Sequence, residues 1–449
     1  MRHSGSTFCV WFLSICMVAA SIGTALIHAP AICSSCAALQ TDSVIRVGGT
    51  GPHNYTSISY AMRIARPGQT VFVYAGIYRE NINMKTGVTL MGEDPETTII
   101  NGSLGETVVS FYNVQDARIE GFTLCHAGRH RSGVYCYNCS PVVTNNIIRN
   151  NGKGILCVQN ASPLIDRNII RDNSGSGIDC SRATITNNTF TNNFNGVYCK
   201  GTAVIRDNMI THNKASGITA VSAEAPHISH NTITGNDQGV VCINASALIE
   251  HNTITNNTRN GISCRPGMVL GPGGIYIPDC NSLFPTICNN TISGNNCGIT
   301  CSCAAPPLIS DNDIIENEVG ISFECGEEDS CSRHSIIFRN NFINNTRQAY
   351  DETEENVWYH STRKEGNFWS DHHAWDNNSD GSADTPYPIP GAGHTDRYPA
   401  MEPWERGWEK EKAKRGIPDF QLCALIAAIM VSFVFRVRVH ARRPGKQKR

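Results

Sequence analysis

The sequence predicts an all-β chain, a right-handed parallel β-helix with an N-terminal capping helix and a C-terminal transmembrane helix. Three observations carry this expectation. Asn is the outlier of the composition, with 42 residues in 449, and 33 of them lie between Asn138 and Asn345. Asn forms helices poorly and prefers turns, so a helical core is excluded there. One pattern recurs from Pro141 onward with starts 20 to 23 residues apart. Two long apolar runs mark the ends of the chain.

The repeat reads Pro or Ala, then Ile or Val two residues on, Asn five on, Ile seven on and Asn ten on. Near position thirteen come Gly, an aliphatic residue and often Cys, as in PVVTNNIIRNNGKGILC and ALIEHNTITNNTRNGISC. That period fits leucine-rich repeats or a β-helix, but the leucine-rich signature is absent. Each repeat is therefore read as one coil of three short strands. The aliphatic residues and Cys point inward, and their neighbours point out. Asn146, Asn168, Asn188, Asn208, Asn231, Asn252, Asn290 and Asn312 form one corner ladder, and Asn151 to Asn317 another. These Asn are expected to take the left-handed corner themselves and to bond amide to amide between coils.

The remaining segments follow from this body. Residues 43–116 form the N-terminal cap and first coils. Thr56 and Ser57 begin a short helix whose face is Ile58, Ala61, Met62 and Ala65, and a terminal unit must cover the open first coil. Residues 117–350 hold the repeats, with an insertion at 265–284, and 351–404 close the solenoid. At the start, 1–31 read as a signal peptide or an N-terminal anchor. At the end come a charged linker at 405–416, an apolar span at 417–435 and a basic tail at 436–449. Seven basic residues in that tail predict that it is cytoplasmic and that the coils lie on the outer face of the membrane. Without them the chain has 30 basic against 39 acidic residues, which excludes a nucleic-acid partner.

The segment IRVGGTGPHNYTSISYAMRIARPGQTVFVYAGIYRENI, the NTITNN coils and GNFWSDHHAWDNNSDGSADTPYPIPGAGHTDRYPAM resemble NosD-like β-helix proteins. These belong to the wider class of carbohydrate-binding and sugar-hydrolase β-helices, solenoids of the pectin-lyase type. The resemblance spans roughly residues 45–401, and the C-terminal apolar segment looks like that of archaeal surface proteins. It implies envelope adhesion or polysaccharide binding, with a cell-envelope polysaccharide or glycoprotein as partner. It also implies two alternatives, a polysaccharide lyase or glycoside hydrolase, and copper binding or delivery.

Candidate site residues follow from chemistry and spacing. His230 and His251 fall at equivalent positions of consecutive coils and are the copper candidates; His126, His130, His372, His373 and His394 are others. Asp166, Thr186 and Arg206 share one column, a lyase-like pattern of acid and cation. Thr189/Thr191, Met209/Thr211, Thr232/Thr234, Thr253/Thr255 and Thr291/Ser293 make a flat hydroxyl face that suits water, ice or sugar. Cys136, Cys157, Cys180, Cys199, Cys242, Cys264 and Cys301 form an inward ladder, read as buried free thiols that pack. Cys303 and Cys325 lie off that column and are the disulfide candidates. Asp376, Asn378, Asp380, Ser382 and Asp384 alternate as the ligands of a Ca²⁺ loop do. Tyr387 stands where the last acid belongs, and Asp396 is a candidate to complete the set. Ten sequons, among them Asn187, Asn256 and Asn289, offer glycan positions.

Overall fold

The computed structural model describes residues 43–103, 105–222, 225–270, 276–279, 285–302, 306–324, 334–353 and 355–405. From Val44 onward the chain winds into coils, each with three short strands. In one coil these are Val142–Thr144, Ile147–Arg149 and Lys153–Val158. Equivalent strands of successive coils pair in parallel and in register, Val143 on Ile165 and Ile148 on Ile170. They stack into three parallel sheets of 13, 13 and 12 strands, called here the first, second and third in coil order.

Alternation along these strands builds the core. Ile119, Val143, Ile165, Ile185, Ile205 and Ile228 stack inside the first sheet with no exposed surface. Leu124, Ile148, Ile170, Phe190, Ile210 and Ile233 do the same in the second. Each such side chain contributes about 1.5–3 kcal/mol by leaving water. In the third sheet the inward column is Phe111, Cys136, Cys157, Cys180, Cys199, Ala220, Cys242, Cys264, Cys301 and Phe323. All seven ladder cysteines are buried free thiols.

The corners differ from the sequence reading in one respect. The left-handed residue is not the ladder Asn but the one before it: Asn145 (φ 51°), Arg167 (54°), Asn187 (55°), Asp207 (59°), His230 (56°) and His251 (55°). The ladder Asn instead turns its amide inward. Asn168 Nδ2 donates to Asn188 Oδ1 (3.0 Å), Val143 O (2.8 Å) and Asp166 O (3.0 Å). Its Oδ1 accepts from the backbone N (3.0 Å) and Nδ2 (3.2 Å) of Asn146. A buried amide with every lone pair and proton used is cheap. The residue before it only turns the chain and faces outward, so Arg, Asp and His also fill that place.

Both ladders have built ends. The first continues through Asn340 and Asn367 and stops on Asp396, whose Oδ2 accepts from Asn367 N (2.6 Å) and Trp369 Nε1 (3.0 Å). The second stops on Gln348, whose Oε1 accepts from Asn345 Nδ2 (2.8 Å). Asp396 has no exposed surface, so it closes the solenoid and does not complete a Ca²⁺ loop. Burial pushes its carboxyl up to about 6, against the donors that favour the charged form. Gly366 must be glycine here, because a Cβ would sit 2.1 Å from Asp396 Oδ1. Phe342, Trp369 and Tyr387 stack face to face over the last coil, with centroids 4.2 and 4.1 Å apart. Asp351, also fully buried, accepts from Trp358 Nε1 (2.9 Å) and from Thr353.

At the other end, the helix Ile58–Ile64 starts on Ser57, whose hydroxyl accepts from Tyr60 N (3.2 Å). Ile58, Ala61, Met62 and Ala65 are buried. Within 265–284, Gly267–Leu270 pairs antiparallel with Tyr276–Asp279. Among the described residues no helix is long and apolar enough to cross a membrane. The signal or anchor at 1–31, the span at 417–435, the tail at 436–449 and the Cys303–Cys325 pair lie outside the described residues.

Candidate functional site

The outer face of the third sheet carries a polar and aromatic surface over its first coils. Tyr135, Leu156, Asp179 and Tyr198 are directly paired neighbours in one outward column. Tyr112 and Tyr137 stack beside it, centroids 4.5 Å apart and planes 11° from parallel. Asp179 is only 8% exposed. Two ammonium groups meet its carboxylate, Lys153 Nζ at 2.5 Å from Oδ2 and Lys200 Nζ at 3.8 Å from Oδ1. Lys200 also lies 5.1 Å from the Tyr198 ring centroid. Burial, with Tyr137 and Tyr112 beside it, pushes the Tyr135 phenol above its ordinary value.

Next to Lys153, where the second sheet turns into the third, an open groove of about 480 Å³ is lined by Arg129, His130, Gly152, Lys153, Ser174 and Gly175. The two glycines keep its floor low. A Cβ on Gly152 would meet Arg129 O at 2.3 Å, and one on Gly175 would meet Gly152 O at 2.7 Å. Phe194 follows in the next coil, bonded through its backbone N to Gly175 O (3.0 Å) and half exposed. None of the six lining residues is acidic. Arg149 and Arg171 stand side by side on the neighbouring strands of the second sheet. Arg171 is paired with Asp172 at 2.5 Å, as Lys153 is with Asp179, so the basic groups of this region are partly neutralised and stand beside aromatic rings.

Such a surface can hold an anionic, ring-containing polymer. Lys153 and Lys200 are 36% and 53% exposed at the side chain, so their ammonium groups are open to solvent while Asp179 is buried. An incoming carboxylate or sulfate can therefore share them, whereas stripping both away would leave the Asp179 charge uncompensated. Aromatic faces then supply stacking area, and Arg supplies forked donors.

Sequence reasoning did not find this site. Lys153 at the start of its strand and Phe194 at its corner occupy positions that vary from coil to coil, and Asp179 belongs to no repeated motif. The residues it did select are placed as follows. Asp166, Thr186 and Arg206 do align in register, but their charges do not meet. Asp166 Oδ1 accepts from Thr186 Oγ1 and Asn187 Nδ2, both at 2.8 Å, and its Oδ2 pairs with Arg167 at 3.0 Å. Arg206 pairs with Asp207 at 2.8 Å. His230 and His251 stack with centroids 5.1 Å apart and planes 26° from parallel. His227 Nε2 is 2.8 Å from Glu250 Oε1, and His394 Nε2 is 2.6 Å from Thr353 O. No group of three or more His, Cys, Asp or Glu is gathered as metal ligands among the described residues. The Thr face is formed in the second sheet, with Thr255 Oγ1 donating to Thr234 Oγ1 at 3.2 Å. In the acidic loop, Asp376 accepts from Asp380 N (3.2 Å) and Gly381 N (2.9 Å), Asn378 from Asp380 N (2.9 Å) and Asp380 from Ser382 N (2.9 Å). Asp384 turns to Asn377.

The model of the periplasmic copper-binding protein NosD matches residues 204–374. The model described as right handed beta helix region matches 96–233 and 132–269. No curated protein matches the chain at a significant level. Similar solved structures include the A-module of a mannuronan C-5 epimerase from Azotobacter vinelandii, at 17% identity, covering 60% of this chain and 91% of that one, TM-score 0.44. A surface adhesin of Streptococcus pneumoniae is similar at 12% identity, covering 61% and 88%, TM-score 0.42. A PL6 family alginate lyase is similar at 14% identity, covering 77% and 56%, TM-score 0.47. The coils and the two family matches together make this chain a right-handed parallel β-helix repeat protein, similar over residues 204–374 to NosD.

Proposed function

We propose that the protein binds an acidic polysaccharide along the third sheet and the groove beside it, as a surface protein of the cell envelope. The observation that carries this is the pair of ammonium groups on the buried Asp179, beside Tyr198 and the cationic groove. Binding is favoured over cleavage, because the carboxylates beside the groove and in the lyase-like column, Asp179 and Asp166, are each engaged by neighbouring side chains. A binding assay against acidic and neutral polysaccharides, with release of reducing or unsaturated ends followed in parallel, separates binding from lyase or hydrolase activity. Steady product release would replace this reading with the enzymatic one.

Anchoring by 417–435, with the tail in the cytoplasm, belongs to the same proposal and rests on the sequence. Protease applied to intact cells should remove the coils and spare the tail. A Ca²⁺ ion in the 376–384 loop is its structural part: an Asp or Asn oxygen that accepts one N–H keeps a second lone pair for a cation. The second reading is copper delivery, favoured by the NosD match over the segment that contains His230 and His251. Copper titration of the protein beside a His230→Ala/His251→Ala variant tests it, and equal uptake by the two would remove that pair from it.

A further inference from the structure

Two of the sequons present both of their reactive groups to solvent. Asn344 and Asn345 form one corner pair. Asn345 turns inward and donates from Nδ2 to Ile314 O (2.8 Å). Asn344 is left-handed (φ 53°) and exposed, in the turn between Asn341–Ile343 and Arg347–Asp351. Its backbone N donates to Ser370 Oγ (2.9 Å), and among the described residues its side-chain amide has no hydrogen-bond partner. Thr346, two residues on, is exposed and is held through its backbone N, which donates to Asn317 O (3.0 Å). Asn160 presents the same groups in the turn between Lys153–Val158 and Leu164–Asp166. It is left-handed (φ 24°) and exposed, and its amide is likewise without a partner among the described residues. Ser162 is exposed, and its backbone N donates to Cys139 O (3.0 Å).

We infer that Asn160 and Asn344 are the N-glycan acceptors of the folded chain. An oligosaccharyltransferase reads the Asn amide together with the hydroxyl two residues later, so both groups must be open to it at once. That requirement separates these two positions from the other sequons. Asn138, Asn187 and Asn377 hold their amides to Asn113 Oδ1, Asp166 Oδ1 and Asp384 Oδ2 at 2.8, 2.8 and 2.7 Å. Asn54, Asn101, Asn244 and Asn289 are half-buried. Asn256 is exposed, but Thr258 Oγ1 donates to Asn236 O (3.2 Å). The donor is a lipid-diphosphate-linked oligosaccharide. Asn Nδ2 attacks its anomeric carbon, an N–C bond forms, the C–O bond to the diphosphate breaks, one amide proton is lost and the lipid diphosphate leaves. Because both acceptors stand in turns between sheets, the added sugar projects into solvent and displaces no strand. In the cell this modification rests on the proposed placement of the coils outside the membrane; the choice of acceptor by the fold does not.

The test is incubation of the folded full chain with an oligosaccharyltransferase of plain Asn-x-Ser/Thr specificity and a lipid-diphosphate-linked oligosaccharide, followed by glycopeptide mapping. Asn160 and Asn344 should be modified, and Asn187 and Asn256 left bare. Synthetic peptides spanning Asn187 and Asn256 should accept the glycan, which assigns their protection to the fold. Ser162→Ala and Thr346→Ala variants should each lose the glycan at their own site alone, with circular dichroism unchanged. The inference is overturned if the folded chain stays bare at both positions, if Asn187 or Asn256 is modified to the same extent, or if the two peptides stay bare. Protease treatment of intact cells reads the placement of the coils separately, so a failure there leaves the acceptor assay to decide this inference.

Discussion

Asn187 and Asn188 are adjacent and chemically identical, yet removing one should cripple the solenoid and removing the other should barely be felt. Asn188 is buried and Asn187 exposed. In Asn188→Ala, three donated bonds vanish, to Ile165 O (2.9 Å), Thr186 O (2.8 Å) and Asn208 Oδ1 (3.1 Å). Two accepted bonds vanish with them, from Asn168 N (2.9 Å) and Asn168 Nδ2 (3.0 Å). At about 1 kcal/mol for each net bond the loss is about 5 kcal/mol, more where a buried backbone group is orphaned. Asn187→Gly removes one exposed bond to Asp166 (2.8 Å) and relieves a left-handed backbone (φ 55°). These effects offset to within about 1 kcal/mol. Urea unfolding followed by far-ultraviolet circular dichroism reads both, with hydrogen exchange to show whether the loss spreads along the array. An Asn188→Ala protein within 1 kcal/mol of wild type, or equal losses for the two variants, would refute the ladder as the source of corner stability.

Asp396 gives a pH signature. Its folded value is raised from the ordinary 3.8 to about 6, so its contribution to stability is full below about 4 and is lost as pH rises through about 6, a difference of about 3 kcal/mol. Asp396→Asn keeps an acceptor for Asn367 and Trp369 and removes the buried charge, so the stability difference between variant and wild type should grow in the variant's favour from pH 4 to 7.5; a constant difference would count against a raised carboxyl. Gly92→Ala places a Cβ 2.1 Å from Gly121 O, backbone that cannot step aside, and should lower the melting temperature by several degrees, at about 2–3 kcal/mol. Calorimetric titration with Ca²⁺ should give heat with the wild-type protein and none with Asp376→Ala/Asp380→Ala; identical traces would leave the 376–384 loop a plain turn.

The architecture was legible because its signals repeat. Ile at fixed offsets, Gly before the third strand and Asn at both corners report the same coil many times over. What was not legible depends on contacts between residues without a shared template position. The choice between the two corner Asn turns on which one faces inward, and both tolerate the turn. The role of Asp396 requires knowing that the Asn column continues past the repeats into Asn340 and Asn367. Asp166 and Arg206 were aligned by register but satisfied by chain neighbours, because Arg167 and Asp207 stand on the left-handed corners beside them. The candidate site was missed for the same reason. Lys153 and Asp179 are 26 residues apart and meet only across coils.

The acidic-polysaccharide reading is tested most directly by titrating the wild-type protein and a Lys153→Ala/Lys200→Ala variant with a uronate polymer and with a neutral glucan. Removing both cations leaves the buried Asp179 uncompensated, so the melting temperature should fall, and binding is compared where circular dichroism shows the variant folded. The wild-type protein is expected to bind the acidic polymer, to weaken as salt rises, and to ignore the glucan. The double variant should bind at least about tenfold more weakly, since each charge-assisted contact contributes about 1.5 kcal/mol or more. Equal affinity for the two polymers, or undiminished binding by the variant, would contradict the assignment of this face as the binding site.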